Sequence, residues 1–326
     1  MNLVGVIANP ASGKDIRRLV AHGSVFDNDE KVSIVRRVLA GIDSTPVDRV
    51  LIMPDRFGIG LKATDGLNVA TDVDILDMPV RFEAVDSEVA TRHLVDLGAG
   101  CIVTLGGDGT NRLVAKHAGT TPILPISTGT NNAFPVMMEA TTAGIAAGLV
   151  SVGITTGAVA QMPIIRCTGP GFEDVALVDA AVYTERFIGA RAVWDPDRLR
   201  EVVLTRLRPG SIGLSSIGSA IHGDDHPRGH GLFIDVHPDA PTTVRAPIAP
   251  GLILDVHVAG TKPLAPGDSI EATVAQPSVI AFDGEREHEL PEESSVTMRF
   301  DADGPLVVDA GAAIAEAARH NWFHAD

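Results

Sequence analysis

Apolar residues in the first half of the chain follow two alternating patterns, short continuous runs and segments with helical spacing. The short runs predict strands at residues 3–8, 49–53, 73–76, 101–105 and 122–126. The helical spacing predicts helices at residues 29–39 and 86–97, and Gly98 is a suitable stop for the second. Strands that alternate with helices are typical of a parallel sheet covered on both faces, so this half predicts a Rossmann-like α/β domain.

The pattern changes after residue 155 to apolar runs separated by Gly, Pro and Asp, which predicts an antiparallel β-sandwich. Strands are predicted at residues 175–183, 231–237, 252–258, 269–274, 279–282 and 295–300, with one helix over 197–206. The tail predicts a strand at 306–308 and a helix over 310–320. Because a lone strand and helix cannot bury their apolar faces, we expect the tail to pack on the first domain. The predicted domains are residues 1–153 plus 304–326 and residues 154–303.

The longest uncharged stretch, residues 140–165, is a candidate for a membrane span by length. It contains many Thr, Ser and Gly residues together with Gln161 and Pro163. The stretch therefore predicts a buried alanine-rich helix, a turn and a strand, and we expect no membrane span.

Composition narrows the classes of partner. The 326 residues include 26 basic and 42 acidic ones, and the net charge of −16 opposes binding to nucleic acid or to an anionic membrane. Cys101 and Cys167 are too few for a disulfide framework or a zinc ribbon, and Asn9 and Pro10 interrupt the N-terminal apolar run that a signal peptide would need. We expect a cytoplasmic protein that acts on small molecules, and the sandwich edges favour a homo-oligomer, a dimer or tetramer.

The turn after the first predicted strand, NPASGKD, is partly similar to a P-loop because it contains Gly13 and Lys14. Ala8 stands where the first glycine belongs, Asp15 replaces the hydroxyl residue, and Pro10 stiffens the turn. The segment is therefore not a P-loop, and the role of this turn must come from its neighbours.

A second glycine-rich turn, LGGDGTNR, joins the predicted strand 101–105 to a helix. Its glycines allow close approach of the backbone, and the start of the helix presents free N–H groups to an anion. The spacing differs from the dinucleotide fingerprint, since Arg112 stands where the third glycine belongs. An aspartate at such a turn, here Asp108, is suited to orient or deprotonate an attacking hydroxyl or to hold a metal on phosphates.

Three segments together carry a family resemblance. The sequence GGDGT resembles the signature of the superfamily of ATP-NAD kinases, diacylglycerol and sphingosine kinases, and phosphofructokinases. NPASG is similar to the NPxSG loop of the lipid kinases, and PISTGTNNAFP resembles the PxGTxN loop after the next strand. The whole arrangement most resembles the AcoX branch of the ATP-NAD kinase family, whose members occur in acetoin-catabolism operons. The resemblance implies an NAD-kinase type α/β domain, with ligands in the crevice at the strand ends.

The resemblance also implies roles for particular residues. It implies that Asp108 is the catalytic residue and that Mg²⁺ accompanies ATP, while the metal ligands stay unassigned. It implies nucleotide contacts by Asn9, Ser12, Gly13, Gly106, Gly107, Gly109, Thr110, Thr128, Gly129, Thr130 and Asn131, with Lys14 as a secondary candidate. It implies acceptor contacts by Asn132 of the first domain and by Asp179, Ser216, Gly218, Ser219 and Asp283 of the second.

The acceptor is left open between three alternatives. NAD leads, with NADP as product, but Val178 and Asp179 stand where NAD kinases carry an Asn-Glu pair. The NPxSG loop and the turn Asp283-Gly284-Glu285 are closer to the lipid kinases, which favours a lipid or small polyol. The third alternative is a non-catalytic sensor of NAD(H) or ATP.

The histidine-rich segment from His222 to His230 is a further candidate for function. Gly223, Pro227 and Gly229 predict a loop, which does not hold histidines in metal-ligand geometry. We expect a polar loop there, and the alternatives are a metal site or a phosphate contact by a histidine or by Arg228.

Overall fold

The computed structural model describes residues 1–12, 26–129, 132–185 and 195–324. The elements up to residue 161 alternate strand and helix: β1 (Leu3–Ala8), α1 (Asn28–Asp43), β2 (Arg49–Ile52), α2 (Ile59–Thr64), β3 (Asp72–Ile75), α3 (Val85–Asp96), β4 (Cys101–Gly106), α4 (Asp108–Ala118), β5 (Ile123–Ser127), α5 (Ala140–Ser151) and β6 (Val159–Gln161).

The remaining elements are mostly strands: β7 (Ile164–Gly169), β8 (Phe172–Ala176), β9 (Asp179–Tyr183), β10 (Leu199–Leu204), α6 (Ser215–His222), β11 (Gly231–Val236), β12 (Thr242–Ala249), β13 (Leu252–Leu264), β14 (Ser269–Thr273), β15 (Ser278–Phe282), β16 (Glu285–Leu290), β17 (Ser295–Asp301), β18 (Leu306–Val308) and α7 (Ala310–Arg319). No helix in the described part of the chain combines the length and the apolar character that a membrane crossing requires.

The first sheet has the strand order β3-β2-β1-β4-β5-β18-β6, in which all pairs are parallel except β18 with β6. Helices α1, α2, α5 and α7 cover one face of this sheet, and α3 and α4 cover the other. The chain order reverses between β1 and β4, so the carboxyl ends of these two strands border a crevice. The tail packs on this domain as predicted, because β18 pairs with β5 and α7 contacts α5.

The second domain consists of two antiparallel sheets. The larger has the order β12-β13-β11-β10-β9-β15-β16, and the smaller has the order β14-β17-β7-β8. Apolar side chains from both sheets fill the space between them, among them Ile165, Cys167, Val182, Val203, Phe282, Met298 and Phe300. The predicted fold class, a parallel α/β domain and a β-sandwich, is confirmed.

Two predicted elements of the sandwich are wrong. A helix is predicted over residues 197–206, but these residues form the end of a short 3₁₀ turn and the strand β10. β9 pairs with one edge of β10 and β11 with the other, which stabilises the extended conformation. The single strand predicted over residues 175–183 is two strands in different sheets, β8 and β9, with Leu177 and Val178 between them. The alanine-rich helix predicted within residues 140–165 is α5, and the strand after it is β6.

Candidate functional site

Three loops meet at the carboxyl ends of β1, β4 and β5. The backbone N–H of Asn9, after β1, donates to the carbonyl of Leu105 at 3.0 Å. The side-chain amide of Asn9 donates to the hydroxyl of Thr110 at 2.9 Å, and the hydroxyls of Ser12 and Thr128 lie 2.9 Å apart. The three predicted nucleotide loops are therefore joined side by side through their own side chains.

The hydroxyls of these loops differ in exposure. Thr110 and Thr128 are buried, so in this structure their hydroxyls join the loops to each other. Asn9, Ser12, Gly107, Gly109 and Gly129 are part-exposed at the crevice. A ligand there meets mainly backbone groups and the amide and hydroxyl of the first loop.

Lys31, near the start of α1, lies fully buried beneath the first loop. Its ammonium group donates to the carbonyls of Asn9 at 2.9 Å, Pro10 at 3.3 Å and Ser12 at 2.8 Å, and to the side-chain oxygen of Asn28 at 3.3 Å. Sequence reasoning missed Lys31, and the one signal was its place beside the apolar positions of α1. Lys31 puts a fixed positive charge beneath the turn.

Two glycines of the second loop make close contacts. A Cβ atom on Gly106 would lie 2.6 Å from the Cβ of Thr110, and one on Gly107 would lie 2.8 Å from the side-chain oxygen of Asn132. On Gly109, a Cβ would lie at an ordinary contact distance of 3.7 Å from a carboxylate oxygen of Glu285, the last residue of the Asp-Gly-Glu turn. A side chain at Gly106 or Gly107 would therefore displace Thr110 or Asn132, and the carboxylate of Glu285 lies against the start of α4.

Asp108 is the first residue of α4, and its carboxylate is held by the third loop. One oxygen accepts from the backbone N–H of Phe134 at 2.7 Å, and both oxygens accept from that of Ala133 at 3.0 and 3.1 Å. The side chain also borders a small cavity shared with Asp179, Asp283 and Gly284 of the second domain. Asp108 therefore has a fixed orientation at the junction of the two domains.

Asp283 and Asp179 hold the junction of β8 and β9. The buried carboxylate of Asp283 accepts from the backbone N–H groups of Leu177 at 2.9 Å and Val178 at 2.8 Å. The carboxylate of Asp179 accepts from the N–H of Gly284 at 3.1 Å, and Asp283 has a left-handed φ of 53°. Burial raises the pKa of Asp283 well above its ordinary range, against the nearby charge of Arg112, while Asp179 and Asp108 raise it further.

The predicted acceptor residues of α6 do not line the cavity beside Asp108. The hydroxyl of Ser216 donates to the carbonyl of Gly213 at 2.6 Å, and that of Ser219 to the carbonyl of Arg208 at 3.0 Å. A Cβ on Gly218 would lie 2.7 Å from Leu204. These residues shape α6 and its packing, and their contact with an acceptor stays a prediction.

A second cavity lies beside the first, lined by Asn132, Ala133, Val178, Arg206, Arg208 and Ser211, among others. The amide of Asn132 donates to the hydroxyl of Ser127 at 2.8 Å and so connects this cavity to the end of β5. Sequence reasoning missed both arginines, because no signature contains them. Gly13, Lys14, Thr130 and Asn131 lie outside the described residues.

The described residues contain no group of three or more His, Cys, Asp or Glu side chains arranged to hold a metal ion. In the histidine-rich segment, α6 ends at His222, whose imidazole lies 2.9 Å from the hydroxyl of Thr261. The ring of His226 lies 3.0 Å from the carbonyl of His230, and residues 223–230 form the predicted loop.

Comparisons with known proteins agree with this architecture. Residues 4–154 match the ATP-NAD kinase N-terminal domain, and residues 162–303 match the acetoin catabolism protein X C-terminal domain. The chain is 38% identical over 335 residues to acetoin catabolism protein X of Cupriavidus necator, covering 98% of this chain and 93% of that protein.

Two solved structures match along most of the chain. A candidate diacylglycerol kinase from Bacillus anthracis matches with a TM-score of 0.50 and 13% identity, over 94% of this chain and 97% of that one. An NAD kinase from Archaeoglobus fulgidus, solved with ATP, matches with a TM-score of 0.40 and 12% identity, over 99% and 100% of the two chains. From its identity to the Cupriavidus protein along nearly its whole length, the chain belongs to the acetoin catabolism protein X family, a branch of the ATP-NAD kinase superfamily of kinases.

Proposed function

We propose that the protein transfers the γ-phosphate of ATP to an alcohol, and that Asp108 orients or deprotonates the accepting hydroxyl. The observation that carries this proposal is the position of the Asp108 carboxylate. It is fixed by the backbone N–H groups of Ala133 and Phe134, and it borders a cavity at the junction of the two domains. A carboxylate held in this way is preorganised as a general base.

The three loops fit the polyphosphate of a nucleotide. Apart from Asp108, their part-exposed members Asn9, Ser12, Gly107, Gly109 and Gly129 carry no charge, and Lys31 adds a positive one beneath the first loop. The glycines let phosphate oxygens approach backbone N–H groups at the start of α4. The nucleotide is therefore proposed to bind along the ends of β1, β4 and β5.

Mg²⁺ is proposed to enter with ATP, because phosphoryl transfer depends on neutralising the charge of the phosphates. Protein-bound Mg²⁺ commonly has one or two carboxylates, phosphate oxygens and water as ligands. Asp108 at the start of α4 and Glu285 of the second domain, which lies against Gly109, are two carboxylates that could form a donor set of this kind. When bound, the ion would neutralise charge on the phosphates.

In the proposed reaction the acceptor oxygen forms a bond to the γ-phosphorus of ATP, and the bond from that phosphorus to the β,γ-bridging oxygen breaks. The hydroxyl proton passes to the carboxylate of Asp108, and ADP leaves. The neutral donors of the loops and Lys31 position the phosphates, since phosphoryl transfer depends on positioning and charge stabilisation.

NAD is the first acceptor to test, because residues 4–154 match the ATP-NAD kinase domain. Asp179 stands where NAD kinases carry the glutamate of the Asn-Glu pair, and its carboxylate accepts a hydrogen bond from the N–H of Gly284. A different acceptor alcohol, a lipid or polyol, is the alternative that this substitution favours.

The test is a coupled assay with ATP, Mg²⁺ and NAD, in which an NADP-specific dehydrogenase reads the product, followed by a labelled-ATP screen over lipids and polyols. Asp108→Asn is expected to lower kcat by about 10²–10⁴-fold, because it removes the general base. Asp86→Asn is the matched control, since Asp86 also accepts backbone N–H groups at the start of a helix, from Arg81 and Phe82, but lines neither of the two cavities at the domain junction.

Thermal unfolding would show that both variants are folded. Wild-type turnover in Asp108→Asn would remove Asp108 from the mechanism. Binding of ATP without turnover of any acceptor would instead support the sensor alternative and overturn the proposed kinase activity.

A further inference from the structure

The cavity lined by Arg206 and Arg208 adjoins the position of the proposed chemistry. Its volume is about 320 Å³, and it shares Ala133, Val178 and Ile212 with the small cavity that Asp108 borders. A molecule that presents a hydroxyl to Asp108 would therefore extend into the space between the two arginines. The cavity lies on the sandwich side of Asp108, whereas the nucleotide loops lie at the ends of β1, β4 and β5.

Among the residues that the structure describes, no carboxylate forms an ion pair with Arg206. Its guanidinium group donates to the carbonyl of Ala133 at 3.3 Å and lies 5.9 Å from the centre of the Phe134 ring. Within the described ranges neither Arg206 nor Arg208 makes an ion pair. Burial lowers the pKa of Arg206, the charge of Arg208 lowers it further, and Asp108 opposes this effect.

Arg112 differs from Arg206 because nearby carboxylates neutralise its charge. Arg112 is buried and contacts the carboxylates of Asp174 at 3.1 Å and Glu287 at 2.6 Å. Arg206 is half-buried and Arg208 is exposed, so water screens part of the repulsion between their charges, and an anion that binds both would remove the rest. The hydroxyls of Ser211 and Ser215, which also line the cavity, are additional donors for an anion.

We propose that the acceptor is itself a phosphorylated alcohol, whose phosphate group binds Arg206 and Arg208 while its hydroxyl faces Asp108. This inference rests on the proposed kinase function for the hydroxyl, but the anion site itself does not depend on turnover. A phosphate monoester carries about −1.5 to −2 charges at neutral pH, opposite in sign and close in magnitude to the summed charge of two guanidinium groups, and its oxygens match their planar donors. Free nucleotides and phosphorylated sugars or polyols share this chemistry.

The anion site is tested first without turnover, by calorimetric titration of the full chain with inorganic phosphate while a non-hydrolysable ATP analogue occupies the nucleotide loops. Arg206→Gln and Arg208→Gln are each expected to weaken phosphate binding about tenfold, and the double variant more. Asp108→Asn should tighten phosphate binding, because it removes a nearby negative charge. Arg200→Gln is the control, since Arg200 lies in β10 and outside the cavity lining.

The acceptor class is tested with labelled ATP on matched pairs of alcohols that differ only by a phosphate: nicotinamide mononucleotide against nicotinamide riboside, and glycerol 3-phosphate against glycerol. The phosphorylated member is expected to have the higher kcat/KM, and Arg206→Gln should raise its KM while the KM for ATP stays unchanged. Equal use of both members, preference for a carboxylate analogue, or an arginine variant that raises only the KM for ATP would overturn the inference. Phosphate binding that depends on the arginines without any turnover would leave the anion site standing and count against the kinase proposal alone.

Discussion

Lys31 is a residue whose role depends on contacts that no local pattern contains. Lys31 is fully buried, and its ammonium group donates to three carbonyls of the loop after β1, those of Asn9, Pro10 and Ser12. A buried ammonium is stable only when hydrogen bonds replace its hydration, and here the turn after β1 supplies them. The lysine and the turn therefore stabilise each other.

Lys31→Met keeps most of the side-chain volume but removes the ammonium donor from three half-buried carbonyls, of which that of Asn9 keeps the hydroxyl of Ser12 as a donor. The free energy of unfolding is expected to fall by about 2 kcal/mol, since each of the other two acceptors, left unsatisfied, costs about 1 kcal/mol. Urea denaturation measures the change. Lys62→Met is the matched control because Lys62 is exposed on α2, and its effect should stay within about 0.5 kcal/mol. Equal effects of the two substitutions would contradict the structural role of Lys31.

The candidate site could be predicted from sequence only where its residues are local to a motif. Asp108 and the glycines beside it follow a buried strand directly, so their place at a strand end follows from the pattern of apolar residues. Lys31 acts on a turn about twenty residues before it, and Arg206 reaches the third loop from the other domain. Contacts between such distant positions depend on the tertiary fold, which local spacing does not encode.

At the level of elements, β10 shows why one local pattern was misleading. Leu199, Val202 and Val203 have helical spacing, and charged residues lie between them. In the structure β10 pairs with β9 and β11, and a bulge between Leu199 and Glu201 interrupts the alternation of a regular strand. Because a bulge shifts side chains from one face to the other, the apolar positions lose their period of two.

The break between β8 and β9 has a similar cause. Apolar residues continue through Leu177 and Val178, so the sequence gives no sign of a crossing between sheets. The N–H groups of these two residues donate to the carboxylate of Asp283, which lies about a hundred positions later in the chain. A distant side chain therefore replaces the ladder hydrogen bonds at this point and lets the strand change sheets.

Glu201 gives β10 a dependence on pH. It lies directly opposite Asp235 of β11, and burial together with the charge of Asp235 raises the pKa of Glu201 from 4.5 to about 7. The folded protein therefore binds the proton more tightly than the unfolded chain does. The contribution to stability is fully present below pH 4.5 and is lost as the pH rises through about 7.

Glu201→Gln removes the charge and is expected to raise the free energy of unfolding at pH 8.5 by about 1 kcal/mol, after allowance for solvent screening. At pH 4.5 the substitution should have little effect, because Glu201 is then protonated in the folded protein. Urea denaturation at the two pH values measures the difference. Glu271→Gln on β14 is the control, since Glu271 is exposed and faces Thr297 across the sheet. A stabilisation that is the same at both pH values would contradict the assignment.

At the scale of the whole molecule, α4 connects the two domains with charged side chains. It begins at Asp108 in the crevice, and one turn later Arg112 contacts Asp174 of β8 and Glu287 of β16. Lys116, a further turn along, lies 2.6 Å from Asp174. Burial alone would raise the pKa of Asp174, but the hydrogen bond from Lys116 and the charge of Arg112 lower it below 3.8. The helix that carries the proposed catalytic residue is thus fixed to the sandwich by ion pairs.

Arg112→Met tests how much this junction depends on a buried charge. Removing one partner of a buried ion pair leaves the others uncompensated, so the free energy of unfolding at pH 7 should fall by about 3–5 kcal/mol. Asp174 has a lowered pKa, and its ion pair therefore stabilises the fold above pH 3.8 and loses that effect as the pH falls further. The difference in free energy of unfolding between Arg112→Met and the wild type should accordingly become smaller below about pH 4.

Arg166→Met is the matched control for this prediction. Arg166 also bridges two carboxylates, Asp301 at 2.8 Å and Asp303 at 2.7 Å, but 37% of its side chain is exposed, against 4% for Arg112. Water solvates Asp303, and Asp301 keeps its ion pair with Arg299, so loss of Arg166 should cost no more than about 1 kcal/mol. Each substitution removes one guanidinium group, and the two arginines differ chiefly in how deeply they are buried. Similar losses of unfolding free energy for both variants would mean that the domain junction is stabilised mainly by its apolar contacts. A large loss for Arg112→Met alone would mean that the buried charges of α4 fix the position of Asp108 between the two domains.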